Sequence, residues 1–302
     1  MRLVLALLAA TAAMTCAAQA ATLEIKDAVL HVTVVPEDRS DIKVEIVRQD
    51  SRQPLSVRTE GTRTIIDGNR HWMMGSCKGS GWGGSDRIAK VVVHTPRAVS
   101  IAASGSVSGV IGRSASLDMR NSGCGEWTIA DTAGDATIHQ SGAGALRMGA
   151  AETLDVQMSG AASIHATRVR RWLDAQLSGT GDVEVAYLTG SLDARISGVG
   201  KVRVAQGRAD NVRASVSGMG GIEFGGVARN LDASISGLGD IRVAEVTGRV
   251  TKSVSGAGSV KIGKRPSCTY RARPRDLKTT LACGIRLRPT RHCCCLFFWP
   301  RG

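Results

Sequence analysis

Three aspartates recur at a constant interval and could together hold a cation. Asp155, Asp174 and Asp193 are separated by equal steps along the chain. If one coil of chain corresponds to one such step, their carboxylates stack on consecutive coils, where like charges repel each other. A hard cation such as Ca²⁺ among the oxygens would relieve that repulsion. Neighbouring Gln157, Gln176 and Arg195 would relieve it too. The sequence favours this polar-face alternative because the repeats lack a nonapeptide Ca²⁺ pattern.

A second set of charged residues alternates in sign at nearly the same interval. Its members are Glu184, Arg203, Glu223 and Arg242. On stacked coils, neighbours of opposite charge would form ion pairs across a solvated face. The functional alternative is a surface that binds a charged glycan.

A glycine-rich segment interrupts the regular pattern over residues 71–86. Trp72 and Trp82 in this segment could stack on sugar rings, or they could cover the end of the core. Cys77 in the same segment and Cys124 are an even pair, which in an exported protein predicts a disulfide. Free thiols, or mispairing with cysteines near the carboxyl terminus, are the alternatives. No group of residues predicts a catalytic site.

The element that must position these residues is a short repeat with the motif Ser-Gly-x-Gly. The Ser-Gly pairs recur at nearly even intervals and begin at Ser104, Ser122, Ser141, Ser159, Ser178, Ser197, Ser217, Ser236 and Ser255. Between them, apolar and polar residues alternate, as in VEVAYLTGSLDARISG over residues 183–198, which is typical of half-buried strands. Strands this short bury their apolar faces only when successive coils stack. The sequence therefore predicts an all-β, single-domain parallel β-helix with coils of about 19 residues and glycines of positive φ at the corners.

The inward positions form predicted apolar columns, and one column is almost entirely small. Val156 and the alanines that follow it define this thin column, and Lys252 interrupts it in the last coil. A lysine is tolerable there only if that end of the fold is open to water or covered by something else. We expect residues 21–103 to form irregular first coils and a cap, and residues 104–263 to form the repeats. Coils of such uniform length predict no walled cleft.

Both ends of the chain differ from this pattern. Residues 1–20, with Arg2, an apolar run and Ala-Gln-Ala, are typical of a secretory signal peptide.

The carboxyl-terminal segment carries most of the positive charge. Residues 264–302 contain ten Lys and Arg and one Asp, so they account for +9 of the chain's net charge of +13; without Arg2 as well, a net charge of +3 remains on residues 21–263. The nearly neutral body excludes nucleic acid as a partner, and no segment predicts a transmembrane span. The basic, cysteine-rich tail could be an anchor, a metal site or a frameshifted end; we favour the last and expect it to be disordered.

The repeated Ser-Gly-x-Gly-x-hydrophobic-x-hydrophobic, preceded by Leu-Asp-Ala-x-hydrophobic, resembles bacterial exported proteins with the GIN domain. These are also called putative auto-transporter adhesin head domains, or DUF2807. The resemblance covers about residues 25–263 and includes the segment VVVHTPRAVSIAASGSVSG. It implies a β-helix at the cell envelope, in the periplasm or on the outer surface of a Gram-negative-type bacterium, and it brings no catalytic residues.

These observations favour a non-enzymatic module that binds an envelope polysaccharide or protein. One alternative is a structural scaffold whose ends or sides associate with other copies. Another is a Ca²⁺-dependent polysaccharide lyase or hydrolase, which the uniform coil lengths disfavour. No cofactor is predicted apart from the possible Ca²⁺.

Overall fold

A computed structural model describes residues 21–49, 54–69 and 88–263 of the chain. Within these ranges the chain forms strands and no helix, so the all-β prediction is confirmed. No segment of the described residues forms a helix long and apolar enough to cross a membrane. The predicted signal peptide and tail lie outside the described residues and stay predictions.

Six strands precede the regular coils. They are β1 (Thr22–Glu37), β2 (Lys43–Arg48), β3 (Ser56–Glu60), β4 (Arg63–Asp67), β5 (Ala89–Pro96) and β6 (Ala98–Ile111). The alternation of buried and partly exposed residues along β1 and β5 matches the apolar residues of their sequences.

The regular coils contain the other strands. They are β7 (Ser116–Asn121), β8 (Cys124–Ile129), β9 (Asp135–Gln140), β10 (Ala143–Met158), β11 (Ala161–Leu177), β12 (Thr180–Ile196), β13 (Val199–Val216), β14 (Met219–Ile235), β15 (Asp240–Val246), β16 (Val250–Val254) and β17 (Ser259–Ile262). One long strand corresponds to two shorter ones of an earlier coil, since β10 pairs with β8 along its first half and with β9 along its second half.

The pairing register shows that the coils stack in parallel, one repeat apart. Strands β12 and β13 pair with Val183 opposite Val202 and Leu192 opposite Val212. An offset of one repeat continues from β10 to β14. The chain is therefore a parallel β-solenoid of about nine turns with coils of about 19 residues, as predicted.

The core is a set of apolar columns that run along the stack. Leu173 pairs with Leu192, and Leu177 pairs with Ile196; all four side chains are at most 2% exposed. The small column is also buried, with Ala194 fully inaccessible to water. These columns match the sequence prediction, because a residue that points inward in one coil meets its counterpart in the next.

The glycine of each Ser-Gly pair is required for a reason that differs from the expected one. Gly198 does not have the positive φ that the sequence analysis assumed for these corners. A Cβ atom placed on Gly198 would instead lie 2.1 Å from the carbonyl oxygen of Gly179 on the preceding coil. Some corner glycines do have positive φ, such as Gly144 at 139°. Close approach of two backbones is thus the main constraint at the Ser-Gly pair.

The amino-terminal end of the stack ends in antiparallel strands. Strand β1 pairs in parallel with β6 on one side and with β4 and β5 on the other. Strands β3 and β2 then pair antiparallel with β4 and β5. The chain therefore leaves β1, returns beside it and finishes that end with two short strands that run against the coils.

The carboxyl-terminal end of the described stack has a different construction. Strand β16 pairs with β14 and β17 pairs with β15, both in parallel. Lys252 lies opposite Ala233 in the small column and is exposed, which agrees with an end that is open to water.

Candidate functional site

A groove runs along one corner of the stack, where each coil passes through its Ser-Gly pair. It encloses about 620 Å³, and its lining includes the serines Ser141, Ser159, Ser178, Ser197 and Ser217. Successive coils are about 4.8 Å apart, so these five serines extend over about 19 Å. All five are exposed, and their hydroxyls form a regular row on the groove floor.

Three of the five hydroxyls, those of Ser178, Ser197 and Ser217, bond to a carbonyl of the coil before them. The Ser178 hydroxyl donates to the Met158 carbonyl at 3.4 Å, and the Ser197 hydroxyl donates to the Leu177 carbonyl at 3.5 Å. The backbone N–H of Ser178 donates to the same Met158 carbonyl at 2.8 Å. A hydroxyl that donates inward keeps its lone pairs for a ligand, so the row offers acceptors at regular intervals.

A second row of polar side chains borders the serines on one side. The pairing register places His139, Gln157, Gln176, Arg195 and Ser215 in one column. Gln157 and Gln176 are exposed and can both donate and accept hydrogen bonds. The lining residues that the structure describes include no carboxylate. The groove can therefore hydrogen-bond a polar ligand, but its lining lacks a pair of carboxylates for acid–base chemistry.

The three aspartates behind this row stack as the sequence predicted. Asp155 pairs with Asp174, and Asp174 pairs with Asp193. The Arg195 guanidinium lies 2.5 Å from an Asp193 carboxylate oxygen and 3.7 Å from one of Asp174. The Gln176 amide donates to Asp174 at 3.3 Å. Arg195 and Gln176 thus bond two of the carboxylates, and the Gln157 side chain interacts with the third.

Burial makes two of these carboxylates harder to ionise. Burial, and then the charge of Asp174, raise the pKa of Asp155 above its usual value. Burial also raises the pKa of Asp193, while Arg195 opposes that shift. One carboxylate oxygen of Asp155 is buried without a hydrogen-bond partner. No three acidic or histidine side chains in residues 21–49, 54–69 and 88–263 are grouped so that they could hold a metal ion. The geometry therefore favours the polar face over the Ca²⁺ site.

The ladder of alternating charge lies on a different face from the groove. The register places Glu184, Arg203, Glu223 and Arg242 opposite one another on four successive coils. An Arg203 nitrogen lies 3.6 Å from a Glu184 oxygen, and the His165 ring adds a contact of 3.3 Å to Glu184. Ion pairs this exposed contribute little to stability.

The comparison with protein families decides the assignment. Residues 28–205 and 170–266 match the model described as "DUF2807: Putative auto-transporter adhesin, head GIN domain". The chain belongs to this family. The resemblance inferred from the Ser-Gly-x-Gly repeat is thereby confirmed. No curated protein matches the chain.

Solved structures similar to this DUF2807 protein are distant in sequence. A putative adhesin from Bacteroides fragilis is 15% identical with a TM-score of 0.38, over 80% of this chain and 92% of that one. A putative lipid binding protein from Parabacteroides distasonis is 18% identical with a TM-score of 0.44, over 81% and 93%. A putative cell adhesion protein from Clostridium sporogenes is 9% identical with a TM-score of 0.18, over 81% and 92%.

The groove is the feature that the sequence analysis of this DUF2807 protein missed. Uniform coil lengths led us to expect no concave surface, and that was wrong because a stacked corner makes a groove without any inserted loop. The available signal was the outward position two residues before each Ser-Gly serine, which holds Gln157, Gln176 and Arg195 in successive coils. Those residues had been considered only as neighbours of the aspartates.

Several predicted site residues are not tested by the structure of this DUF2807 protein. Trp72, Trp82 and Cys77 lie outside the described residues. Cys124 is the first residue of β8, at the Ser-Gly corner of its coil. The disulfide between Cys77 and Cys124 and the binding role of the tryptophans therefore stay predictions.

Proposed function

We propose that this DUF2807 protein is an exported, non-catalytic binding module that holds an envelope polysaccharide in the serine-lined groove. The observation that carries the proposal is the row of five exposed hydroxyls, bordered by Gln157, Gln176 and Arg195. A polymer of hydroxylated units needs hydrogen-bonding groups repeated along its length, and the stacked coils supply one set per coil.

The chemistry of the groove supports binding without cleavage. Glycoside hydrolysis uses two carboxylates that flank the bond to be broken. The groove residues of the described chain include neither Asp nor Glu, and the nearest aspartates are engaged by Arg195 and Gln176. The family description as an adhesin head domain agrees with a binding role.

Export of the protein is proposed from the predicted signal peptide. Residues 1–20 would direct the chain across the inner membrane, and the folded part would begin at Ala21. The sequence leaves the periplasm and the outer surface as alternatives. Sequencing the amino terminus of the protein recovered from a bacterial envelope fraction would test the cleavage.

The experiment is retention of the protein on a panel of immobilised neutral and acidic polysaccharides, with and without Ca²⁺. Gln157→Ala combined with Gln176→Ala should weaken retention, because it removes two exposed amides from the groove. Chain shortening is monitored in parallel and should not occur. Circular dichroism confirms that each variant stays folded.

Arg203→Ala tests the charge ladder as the alternative binding surface. Its side chain is 50% exposed and, like Arg195, it pairs with a carboxylate, but it lies outside the groove. If Arg203→Ala weakens retention while the glutamine variant does not, the ladder binds the polysaccharide and the groove does not. Shortening of the polysaccharide would refute the non-catalytic role. If retention requires Ca²⁺ and Asp174→Asn abolishes that requirement, the Ca²⁺ site becomes the favoured interpretation of the three aspartates.

A further inference from the structure

The last coil of the described stack exposes side chains that belong to the core. Val250 lies opposite Leu231, and Val254 lies opposite Ile235. Leu231 and Ile235 are 2% and 1% exposed, whereas Val250 and Val254 are 40% and 46% exposed. The apolar columns thus continue to the end of the stack and remain uncovered there.

The backbone at the same place is that of an edge strand. Among the described residues, β16 pairs with β14 alone and β17 pairs with β15 alone. Their far sides present N–H and C=O groups in the geometry that the inner coils use for pairing. An exposed strand edge of this kind adds an extended peptide readily. The antiparallel strands at the amino-terminal end distinguish that end from this one.

Lys252 determines which strand would fit. It stands in the small column, where Ala214 and Ala233 are buried in the two preceding coils. None of the ion pairs among the described residues involves Lys252. A strand placed on this edge would bring its central inward residue next to the ammonium group, where an acidic side chain is favourable and a basic one is not.

We propose that this edge, formed by β16 and β17, accepts an extended strand from a partner protein in which an acidic residue lies between two apolar residues at alternate positions. The apolar residues would cover Val250 and Val254, and the acidic residue would pair with Lys252. The pattern is the same in both directions, so it suits a parallel and an antiparallel strand alike.

The charge argues against a second copy of this chain and against its own carboxyl-terminal segment. Two β16 edges that pair antiparallel about their centres would bring Lys252 against its own counterpart. Residues 264–302 carry a single acidic residue, Asp276, with Pro274 and Lys278 two positions on either side of it. That sequence lacks the required apolar pair. A partner of complementary charge is the occupant that the edge favours.

The test uses the full chain and a synthetic coil peptide with the sequence of residues 230–248. In its natural sequence this peptide would place Leu231 and Ile235 over the two exposed valines, and Ala233 over Lys252. Three versions carry Ala, Glu or Lys at position 233, and their binding is measured by fluorescence anisotropy. Cross-strand charges contribute about 0.2–1 kcal/mol each way, so the Glu peptide should bind roughly twofold to thirtyfold more tightly than the Lys peptide.

Charge reversal on the protein provides the decisive comparison. With Lys252→Glu, the order of the Glu and Lys peptides should reverse, while the basic tail is the same in both proteins. Lys252 is exposed, so this variant should fold. Lys201→Glu, an exposed lysine three coils away from β17, is the matched control and should leave the order unchanged.

Three results would overturn the proposal. The first is that no peptide binds the full chain. The second is that Lys252→Glu leaves the order of the peptides unchanged. The third is that sedimentation shows a dimer of the unmodified chain that Val254→Asp dissociates, which would assign the edge to a second copy.

Discussion

Replacing Gly198 by alanine should separate two coils of the solenoid. A Cβ atom at this position would lie 2.1 Å from the Gly179 carbonyl oxygen and 2.5 Å from the Ser178 carbonyl oxygen. All the atoms it meets are backbone atoms of the preceding coil, so no side chain can rotate away. An ordinary contact is more than 3.4 Å, and the coils must therefore move apart by about an ångström or more.

The movement acts on hydrogen bonds as well as on packing. The Gly179 carbonyl that the new methyl would displace also accepts the Val199 N–H at 3.0 Å. Overpacking of this kind costs about 1–3 kcal/mol. Alanine also reduces the conformational entropy of the unfolded chain relative to glycine, which stabilises the folded state by about 0.4–1 kcal/mol. We expect a net loss of about 1.3 kcal/mol, which corresponds to a fall of roughly 3–5 °C in Tm for a protein of this size.

Gly221→Ala is the matched control. A Cβ atom on Gly221 would meet one atom, the Asp240 carbonyl oxygen, at 3.4 Å, which is ordinary contact. Gly221 has no positive φ, so alanine fits its backbone. Thermal and urea unfolding followed by circular dichroism should show a lower midpoint for Gly198→Ala and no loss for Gly221→Ala. Equal midpoints for the two variants would refute the close-approach explanation of the Ser-Gly repeat.

Three further predictions concern buried polar groups and the cysteines. Asp155→Asn should raise the urea midpoint at pH 7 but leave it unchanged at pH 3. Burial raises the pKa of Asp155 above 3.8 in the folded protein, so ionisation of this carboxyl destabilises the fold as the pH rises above that value. At pH 3 the carboxyl is protonated in the folded and the unfolded state, and the effect disappears. Gln140→Ala should lower the free energy of unfolding by about 1–3 kcal/mol, because the buried Asn121 amide, which donates to Gln140 at 3.1 Å, loses its partner. A double-mutant cycle should show that Asn121→Leu combined with Gln140→Met lowers stability by less than the sum of the two single changes. Peptide mapping without reductant should find Cys77 joined to Cys124, and reduction should then lower stability by roughly 4 kcal/mol in the chain-entropy model of a loop this long; two free thiols in the map would contradict it.

Much of the fold could be predicted because the repeat makes a long-range arrangement follow from a local one. Once Leu173 and Leu192 are recognised as equivalent positions of successive coils, stacking places them together, and the structure pairs them. The same reasoning correctly aligned Asp155 with Asp174 and Asp193, and Glu184 with Arg203. It also required the end marked by Lys252 to be open to water or covered by something else, and Lys252 is exposed in the structure.

The candidate site was less predictable, because it depends on shape at the corners. Ser178 and Gln176 are polar residues in a polar stretch, and nothing in their spacing shows that two rows enclose a groove. The extent of burial was equally hidden. Asp193 is 4% exposed although it lies in an outward position, since the Arg195 side chain lies against its carboxylate.

The sequence by itself determined the class of fold, the length of the coil and the columns in which residues meet. Those properties follow from alternation within a strand and from the regular period of the Ser-Gly pairs, which are both local. The tertiary structure alone decided how closely the coils approach at Gly198, that the Ser-Gly corner forms a groove, and that β1 lies between β6 and the returning strands β4 and β5. These are distances and pairings between segments far apart in the chain, and no periodic pattern specifies them.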